Sequence, residues 1–249
     1  MMYTTFCKAL DDLFGGFQNK TLLQIAGRAL TGKTTLGGYT AVVSIYKSLS
    51  ESGKIPENAR FYVVDCDGGW DWQRFSQIAK YHGCEEAEDM IEYFDPTEFS
   101  TQHDIVTKTI PKMAKDNPPL YIFVDAITAL YRGMVLRTPM KTRASVLGTL
   151  TGKLDLQYVT LRRLSVKYNI PVTVVTWTTS PLSEVFGSQP ESPFVGGRLT
   201  SFLPKIIVEL RAPDVSIPLR EAYLYKHRGR MSGVSCKFLL YDGGVKDVE

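Results

Sequence analysis

A chain of 249 residues is long enough to bury a real core as one large α/β unit or two small ones. It is 44% hydrophobic and 22% charged, an ordinary globular composition, and its net charge of +3 permits contact with nucleic acid without demanding it. No uncharged apolar run approaches the roughly 18 residues of a membrane span, and MMYTTFCKALDDL lacks the basic-then-apolar order of a secretory leader.

In chain order, short apolar β-rich runs alternate with longer amphipathic ones. TLLQIAG (21–27) predicts a strand and KTTLGGYTAVVSIYKSL (33–49) the helix after it. FYVVD (61–65) predicts a strand, and WQRFSQIAKYHG (72–83) a helix that Gly83 ends. IEYFD (91–95) reads as a short strand, residues 100–114 as a helix, and LYIFVD (120–125) as a buried strand. The long helix RASVLGTLTGKLDLQYVTLRRLSVKY (143–168) leads into another buried strand, PVTVVTW (171–177). This alternation implies an α/β fold of parallel strands joined by right-handed crossovers, with ligands at the strands' carboxyl ends. Beyond residue 204, KIIVELR, REAYLYKHR and VSCKFLLY predict three strands that extend the same sheet in antiparallel fashion. No linker, repeat or low-complexity segment interrupts the chain, so residues 1–249 are expected to form one domain. Cys7, Cys66, Cys84 and Cys236 show no CxxC spacing and read as reduced thiols of a soluble cytoplasmic protein.

AGRALTGKTTL contains Gly27, four residues, then Gly32-Lys33-Thr34, which matches GxxxxGK[ST] between a strand and a helix. Glycines let the backbone wrap a phosphate so that successive N–H groups and the helix N-terminus face the anion. Gly27, Arg28, Ala29, Leu30, Thr31, Gly32, Lys33, Thr34 and Thr35 are therefore the candidate nucleotide-binding residues, for ATP with Mg²⁺. Lys33 would reach the β- and γ-phosphates and Thr34 would hold Mg²⁺. A second, metal-linked carboxylate is needed at the end of a neighbouring buried strand, and LYIFVD supplies it in Asp125, acting through a water. VVDCDGGWDW leaves open which of Asp65 and Asp67 is a base, a metal ligand or the polar end of a strand.

KALDDLFGG ahead of the phosphate loop, VVDCDGGWDWQRFSQIA, IFVDAITALYR, PFVGGRL, and KHR followed by GVSCKF resemble RecA-type recombinases of archaea and eukaryotes, most closely the archaeal RadB-type paralogues. The matching segments run from residue 8 to 241 in order. The resemblance implies a RecA-like P-loop core that binds ATP and DNA and assists a main RecA-type recombinase, without an N-terminal helical DNA-binding domain. It places Asp67 where the family has a water-orienting glutamate, one methylene longer, and Arg74 where an arginine stacks over adenine. It places Trp177-Thr178 where the family has Asn-Gln, so Thr178 stands at the γ-phosphate sensor position with a shorter side chain. Two altered positions beside an intact phosphate loop imply a weak or slow ATPase. Phe6-Cys7-Lys8-Ala9 fits the FxxA pattern recombinases use to polymerise, but it lies inside the leading segment and reads as coincidental.

YLYKHRGR sets Lys226 and Arg228 two apart on a strand, hence on one face, where they would suit an arginine-finger role toward a neighbouring subunit's nucleotide. KaiC- and DnaB-type ring ATPases have a similar Lys-x-Arg, so the alternative reading is a ring-forming signalling or motor ATPase without a recombination role. A third reading is an interaction protein with nucleotide as a structural ligand. RGMVLRTPMKTR (132–143) reads as a basic loop in which Arg132, Arg137, Lys141 and Arg143 would neutralise phosphates of single- or double-stranded DNA. TTSPLSEVFGSQPESPFVGGR (178–198) matches a second DNA loop by position, with Arg198 its cation, Phe186 or Phe194 to stack on bases, and two acids, Glu184 and Glu191.

Overall fold

The computed structural model describes residues 1–178 and 198–248. Beside a short antiparallel ribbon of β1 (Met2–Tyr3) and β2 (Phe17–Gln18), its centre is a nine-stranded sheet that runs from edge to edge as β11 (Gly244–Asp247), β10 (Ser235–Tyr241), β9 (Leu219–His227), β8 (Ile206–Arg211), β3 (Thr21–Gly27), β7 (Pro171–Thr176), β6 (Pro119–Asp125), β4 (Arg60–Asp65) and β5 (Ile91–Phe94). Strands β3 (Thr21–Gly27), β4 (Arg60–Asp65), β6 (Pro119–Asp125) and β7 (Pro171–Thr176) are buried almost throughout, which is why they read as continuous apolar runs and not as alternating ones. All pair in parallel, as does β5 (Ile91–Phe94) with β4 at one edge. β8 (Ile206–Arg211) is also parallel, to β3, so the antiparallel part begins one strand later than the sequence suggests. It comprises β9 (Leu219–His227), β10 (Ser235–Tyr241) and β11 (Gly244–Asp247), whose four residues are too short to carry a strand pattern of their own.

Helices cover both faces. On one lie α1 (Lys8–Phe14), a wide π-helical segment (Thr35–Thr40) that runs on as α2 (Ala41–Glu51), and α3 (Trp72–His82). Gly37 and Gly38 let that segment sit directly on the sheet, since a Cβ at either would come within 2.9 Å of Ile25, Phe123 or Trp70. Asp71 caps α3 by accepting from the Arg74 N–H, and Gly83 closes it in the left-handed conformation. On the other face lie α4 (Phe99–Asp104), a second π-helical stretch (Ile105–Thr109) continuing into α5 (Ile110–Met113), then α6 (Ala129–Arg137) and α7 (Met140–Lys167). Phe61, Tyr121 and Phe123 form one core with α1–α3, and Tyr62, Ile122 and Tyr158 form the other with α4–α7. Each such side chain removed from water contributes roughly 1.5–3 kcal/mol.

The chain's two ends are locked together: Asp247 on β11 accepts from the N–H groups of Lys8 and Ala9 at 2.9 and 2.7 Å, capping α1. Phe6, at φ 62°, stacks on the His82 ring with centroids 4.0 Å apart, so its aromatic ring is used within the chain. Among the described residues, no helix is long and apolar enough to cross a membrane.

Candidate nucleotide site and nucleic-acid face

The loop leaving β3 passes through Gly27 at φ 151°, Leu30 at φ 63° and Gly32 at φ 90° before helix begins. Gly27 is obligatory on spatial grounds too, because a Cβ there would stand 2.4 Å from the Leu210 carbonyl oxygen of β8. Lys33 is 8% exposed and donates from Nζ to the Arg28 carbonyl at 2.6 Å, while Thr31 Oγ1 donates to the same oxygen at 2.9 Å. Burial pulls the Lys33 pKa down, and Asp125 and Asp67 push it back.

Thr34 Oγ1 donates to Asp125 Oδ2 at 2.5 Å, so the loop's hydroxyl and the strand-end carboxylate meet as the sequence motif requires. Asp125 is 4% exposed, and its pKa is pushed up to about 7, chiefly by burial and then by Asp67, with the Thr34 hydrogen bond and Lys33 opposing. A hydroxyl and a carboxylate are hard oxygen donors of the kind Mg²⁺ takes alongside phosphate and water. A buried ammonium on a left-handed, N–H-lined turn suits the phosphates themselves. ATP and Mg²⁺ therefore fit the residues present, and Lys33, Thr34 and Asp125 are the ones that could hold them.

Asp65 and Asp125 are direct neighbours across β4 and β6. They do different work. Asp65, 3% exposed, accepts from the N–H groups of Gly69 and Trp70 and from Tyr93 Oη at 3.1, 2.9 and 2.9 Å. Its carboxylate is consumed in building the Gly68-Gly69 turn. Asp67 is exposed as a residue, yet its pKa is still raised, first by desolvation of the carboxyl and then by Asp65, with Lys33 opposing. Of the two aspartates, Asp67 is the one whose carboxyl acts on Lys33, with hydrogen bonds to Asp65 and the Gly69 backbone beside it.

Arg74 donates to the carbonyls of Tyr241 and Asp242 and to Gln77, which fixes its N–H edge on the β10–β11 turn. A planar cation held by its edge still offers a face for stacking. The same hairpin reaches the phosphate loop, where Leu240 packs so closely that a Cβ on Gly32 would meet it at 2.9 Å. Nothing in the sequence signalled that contact, since 208 positions separate the two residues. Trp70 is buried among Tyr39, Phe75 and Phe123, a packing role, and Trp72 is 37% exposed.

Residues 132–143 are not a loop. α6 and α7 occupy nearly all of the segment and only Thr138-Pro139 breaks them, because Ala-Leu-Tyr-Arg-Gly-Met-Val-Leu-Arg contains mostly helix formers and Pro139 stands where a new helix starts. Arg132, Arg137 and Lys141 are exposed there, whereas Arg143 turns inward and donates to the Thr138 carbonyl at 3.0 Å, bracing the helix junction. Arg132 lies with Cζ 5.5 Å from the Trp177 ring centroid. Thr178 is half-buried just beyond β7. Phe186, Phe194, Glu184, Glu191 and the side chain of Arg198 lie outside the described residues; the backbone of Arg198 opens α8 (Arg198–Phe202).

Lys226 is on β9 and Arg228 lies just beyond its end at His227, with a bulge at Tyr225 ahead of both. Lys226 donates to the carbonyls of Ser201 and Phe202, each at 2.9 Å, and Arg228 reaches Gln18 Oε1 at 3.1 Å. His227 is half-buried and accepts the Gly229 N–H on Nδ1 at 3.0 Å, a packed and not a catalytic histidine.

The family model described as Rad51 matches residues 1–248. The chain is 30% identical to the DNA repair and recombination protein RadB of Thermococcus kodakarensis, with 100% of both chains covered. It is 28% identical to the DNA repair and recombination protein RadA of Ignicoccus hospitalis, over 99% of this chain and 73% of that one. Among solved structures it is similar to a crystal structure of the RadB recombinase, with a TM-score of 0.75, 28% identity and 100% of both chains covered.

Proposed function

The chain belongs to the Rad51 family, and from that premise we propose that it is a DNA repair and recombination protein of the RadB kind: a Mg·ATP-binding paralogue that binds DNA and assists a main RecA-type recombinase, turning ATP over slowly. The observation that carries the reading is the meeting of Thr34 and Asp125 in the loop that holds the buried Lys33, with the Asp67 carboxyl near enough to act on that lysine. Lys33 would bind the terminal phosphates, Thr34 and Asp125 would hold Mg²⁺, and Arg74 would carry the base. Bound Mg²⁺ would neutralise phosphate charge. Asp67 would orient and deprotonate an attacking water, and its retraction by about 1.5 Å is the kind of misplacement that costs roughly a hundredfold in rate.

Thr178, at the sensor position, has one hydroxyl in place of an amide's paired donor and acceptor. Arg132, Arg137 and Lys141 would meet DNA phosphates, giving sequence-independent, salt-dependent affinity. A protein that works on DNA alongside a recombinase would reside in the cytoplasm. Should it self-associate, Arg228, exposed beyond the end of β9, is better placed than Lys226 to reach a neighbour's nucleotide.

The deciding experiment is binding to labelled single-stranded DNA over a salt series, with and without Mg·ATP, beside phosphate release. The expected result is a negative salt slope, ATP binding that Lys33→Ala abolishes, and turnover well below that of a strand-exchange recombinase. A discrete hexamer that hydrolyses ATP rapidly and ignores DNA would overturn it in favour of a ring ATPase. ATP and DNA binding both intact in Lys33→Ala would reduce the nucleotide to a structural ligand.

A further inference from the structure

The far end of α7 carries a second group of cations, away from the nucleotide site. α7 runs from Met140, beside the cationic face at 132–141, to Lys167, which leads into the start of β7 at Pro171. Its last turns therefore lie at the amino ends of the strands, whereas the phosphate loop lies at their carboxyl ends. A cleft of about 730 Å³ opens there between α7 and residues 105–113, with Thr107, Pro111, Thr160, Arg162, Arg163 and Lys167 in its lining. Thr160, Arg163, Leu164 and Lys167 share one helix face at i, i+3, i+4 and i+7, and of these Leu164 is buried. Arg162 donates to the Lys20 carbonyl at 3.1 Å, which holds it over the turn before β3. Lys108 and Lys112 continue the cations into an adjoining hollow, where Asp116 is the one carboxylate.

Among the described residues no carboxylate lines the cleft, and none forms an ion pair with Lys112, Arg162, Arg163 or Lys167. Lys108 pairs with Asp104 at 2.8 Å, but both are largely exposed, and such a pair contributes under about 1 kcal/mol. Cations in the last turn of a helix complement its dipole, which accounts for Lys167 and Lys112. Arg162 and Arg163 stand at least a full turn before α7 ends, outside that effect. The hydroxyls of Thr107 and Thr160 donate to the His103 and Leu156 carbonyls of their own helices, so the cations are the donors that face a ligand. No aromatic ring lines the cleft. A single strand gains about 1–3 kcal/mol from each base it stacks on a ring, and here it would find none. A duplex keeps its bases stacked inside and offers its phosphates, which is what unpaired cations bind. The face at the other end of α7 differs in this respect, since Met134, Leu136 and Met140 lie bare among its cations.

We propose that the cleft between α7 and residues 105–113 is a second nucleic-acid site, which takes the phosphate backbone of duplex DNA. At 1.5 Å per residue the 28 residues of α7 span about 42 Å. Lys141 at one end is thus several Debye lengths from Arg163 and Lys167 at the other, each length being about 10 Å at 0.1 M salt. Charge neutralised at one end is not felt at the other, and the two sites fill independently. α7 serves as a strut that holds a duplex at its carboxyl end and a single strand at its amino end, an arrangement that suits DNA with paired and unpaired parts. The single-strand half rests on the reading given under Proposed function; the duplex half stands on the cleft alone.

The affinities of a short blunt duplex and of oligo-dT, each labelled, are measured by anisotropy over a salt series. The proteins are the full native chain, Arg163→Gln/Lys167→Gln and Arg137→Gln/Lys141→Gln; all four side chains are exposed, so thermal melts should be unchanged. Arg163→Gln/Lys167→Gln should weaken duplex binding about tenfold or more and lower the slope of log affinity against log salt by about two, with oligo-dT affinity unchanged. Arg137→Gln/Lys141→Gln should do the reverse. Unlabelled oligo-dT should leave bound duplex in place on the native chain. Duplex affinity and salt slope unaltered in Arg163→Gln/Lys167→Gln would overturn the proposal, as would a native chain that binds no duplex. Loss of duplex and oligo-dT alike in that variant, or displacement of one by the other, would make the two faces a single site and overturn it too. If the native chain bound duplex through Arg163 and Lys167 but took no oligo-dT, the reading of the 132–141 face would fall and the cleft would stand.

Discussion

The Thr34 hydroxyl donates to the Asp125 carboxylate at 2.5 Å, across the gap between the phosphate loop and β6. The contact holds a carboxylate that is 4% exposed in a position where its charge is costly without a cation. Asp125→Asn should keep the Thr34 hydrogen bond through the amide oxygen and remove that cost. The nucleotide-free chain should become more stable at neutral to alkaline pH, by on the order of 2 kcal/mol, while Mg²⁺-dependent nucleotide affinity falls at least roughly tenfold. Thermal melts with and without Mg·ATP check both; a variant less stable than the native chain yet fully Mg²⁺-responsive would remove Asp125 from the metal's vicinity.

Lengthening the shortened base is the sharpest test of slow turnover. Asp67→Glu adds about 1.5 Å of reach at an exposed position. Phosphate release should rise by about tenfold or more, with nucleotide affinity unchanged, and Asp67→Ala should show no release above background. Equal rates in all three proteins would mean that no carboxylate at this position orients the water.

How much of this was legible beforehand follows from the range of the forces involved. The central strands and the positions of the phosphate loop and Asp125 at their carboxyl ends are readable, because strand-loop-helix order and buried apolar runs are local patterns. Residues 132–143 read as a basic loop on charge alone, but their helix propensity decides their structure. β8 reads as antiparallel because it adjoins a meander in sequence; only its pairing with β3, 183 positions earlier, reveals it as parallel. Leu240 on Gly32, Arg74 on the β10–β11 turn and Arg132 on Trp177 are long-range contacts with no periodicity to announce them.

Asp65 is a structural residue, and its removal should be read in stability and not in rate. Asp65→Ala leaves the Gly69 and Trp70 N–H groups and the Tyr93 hydroxyl without their acceptor in a buried site. The expected cost is about 3 kcal/mol or more, with a changed near-ultraviolet signal from the Trp70 cluster. Asp65→Asn retains one accepting oxygen and should cost less. A loss under roughly 1 kcal/mol in Asp65→Ala would show that the turn finds other acceptors.

The three histidines should make the fold sensitive to mild acid in a single direction. The pKa values of His82, His103 and His227 are all held below the ordinary 6.5, in each case first by burial. For His82 the Gly243 carbonyl, 2.9 Å from Nε2, opposes this and Lys47 adds to it, while the Phe6 and Tyr81 rings cover the imidazole. A folded-state pKa below the unfolded one means that the unfolded chain takes up protons first. The histidine contribution is therefore intact above pH 6.5 and is lost as pH falls through the lowered values. Asp125 and Asp67, whose pKa values are raised, pull the opposite way over an overlapping window, so the native profile alone mixes the two effects. The difference between the native chain and His82→Gln isolates one of them, since glutamine can still donate to Gly243 but takes no proton. His82→Gln should gain stability relative to the native chain as pH drops from about 7 to about 5.5, by no more than about 1.4 kcal/mol per pH unit. A difference that stays constant over that interval would mean that His82 protonates as readily in the folded chain as in the unfolded one.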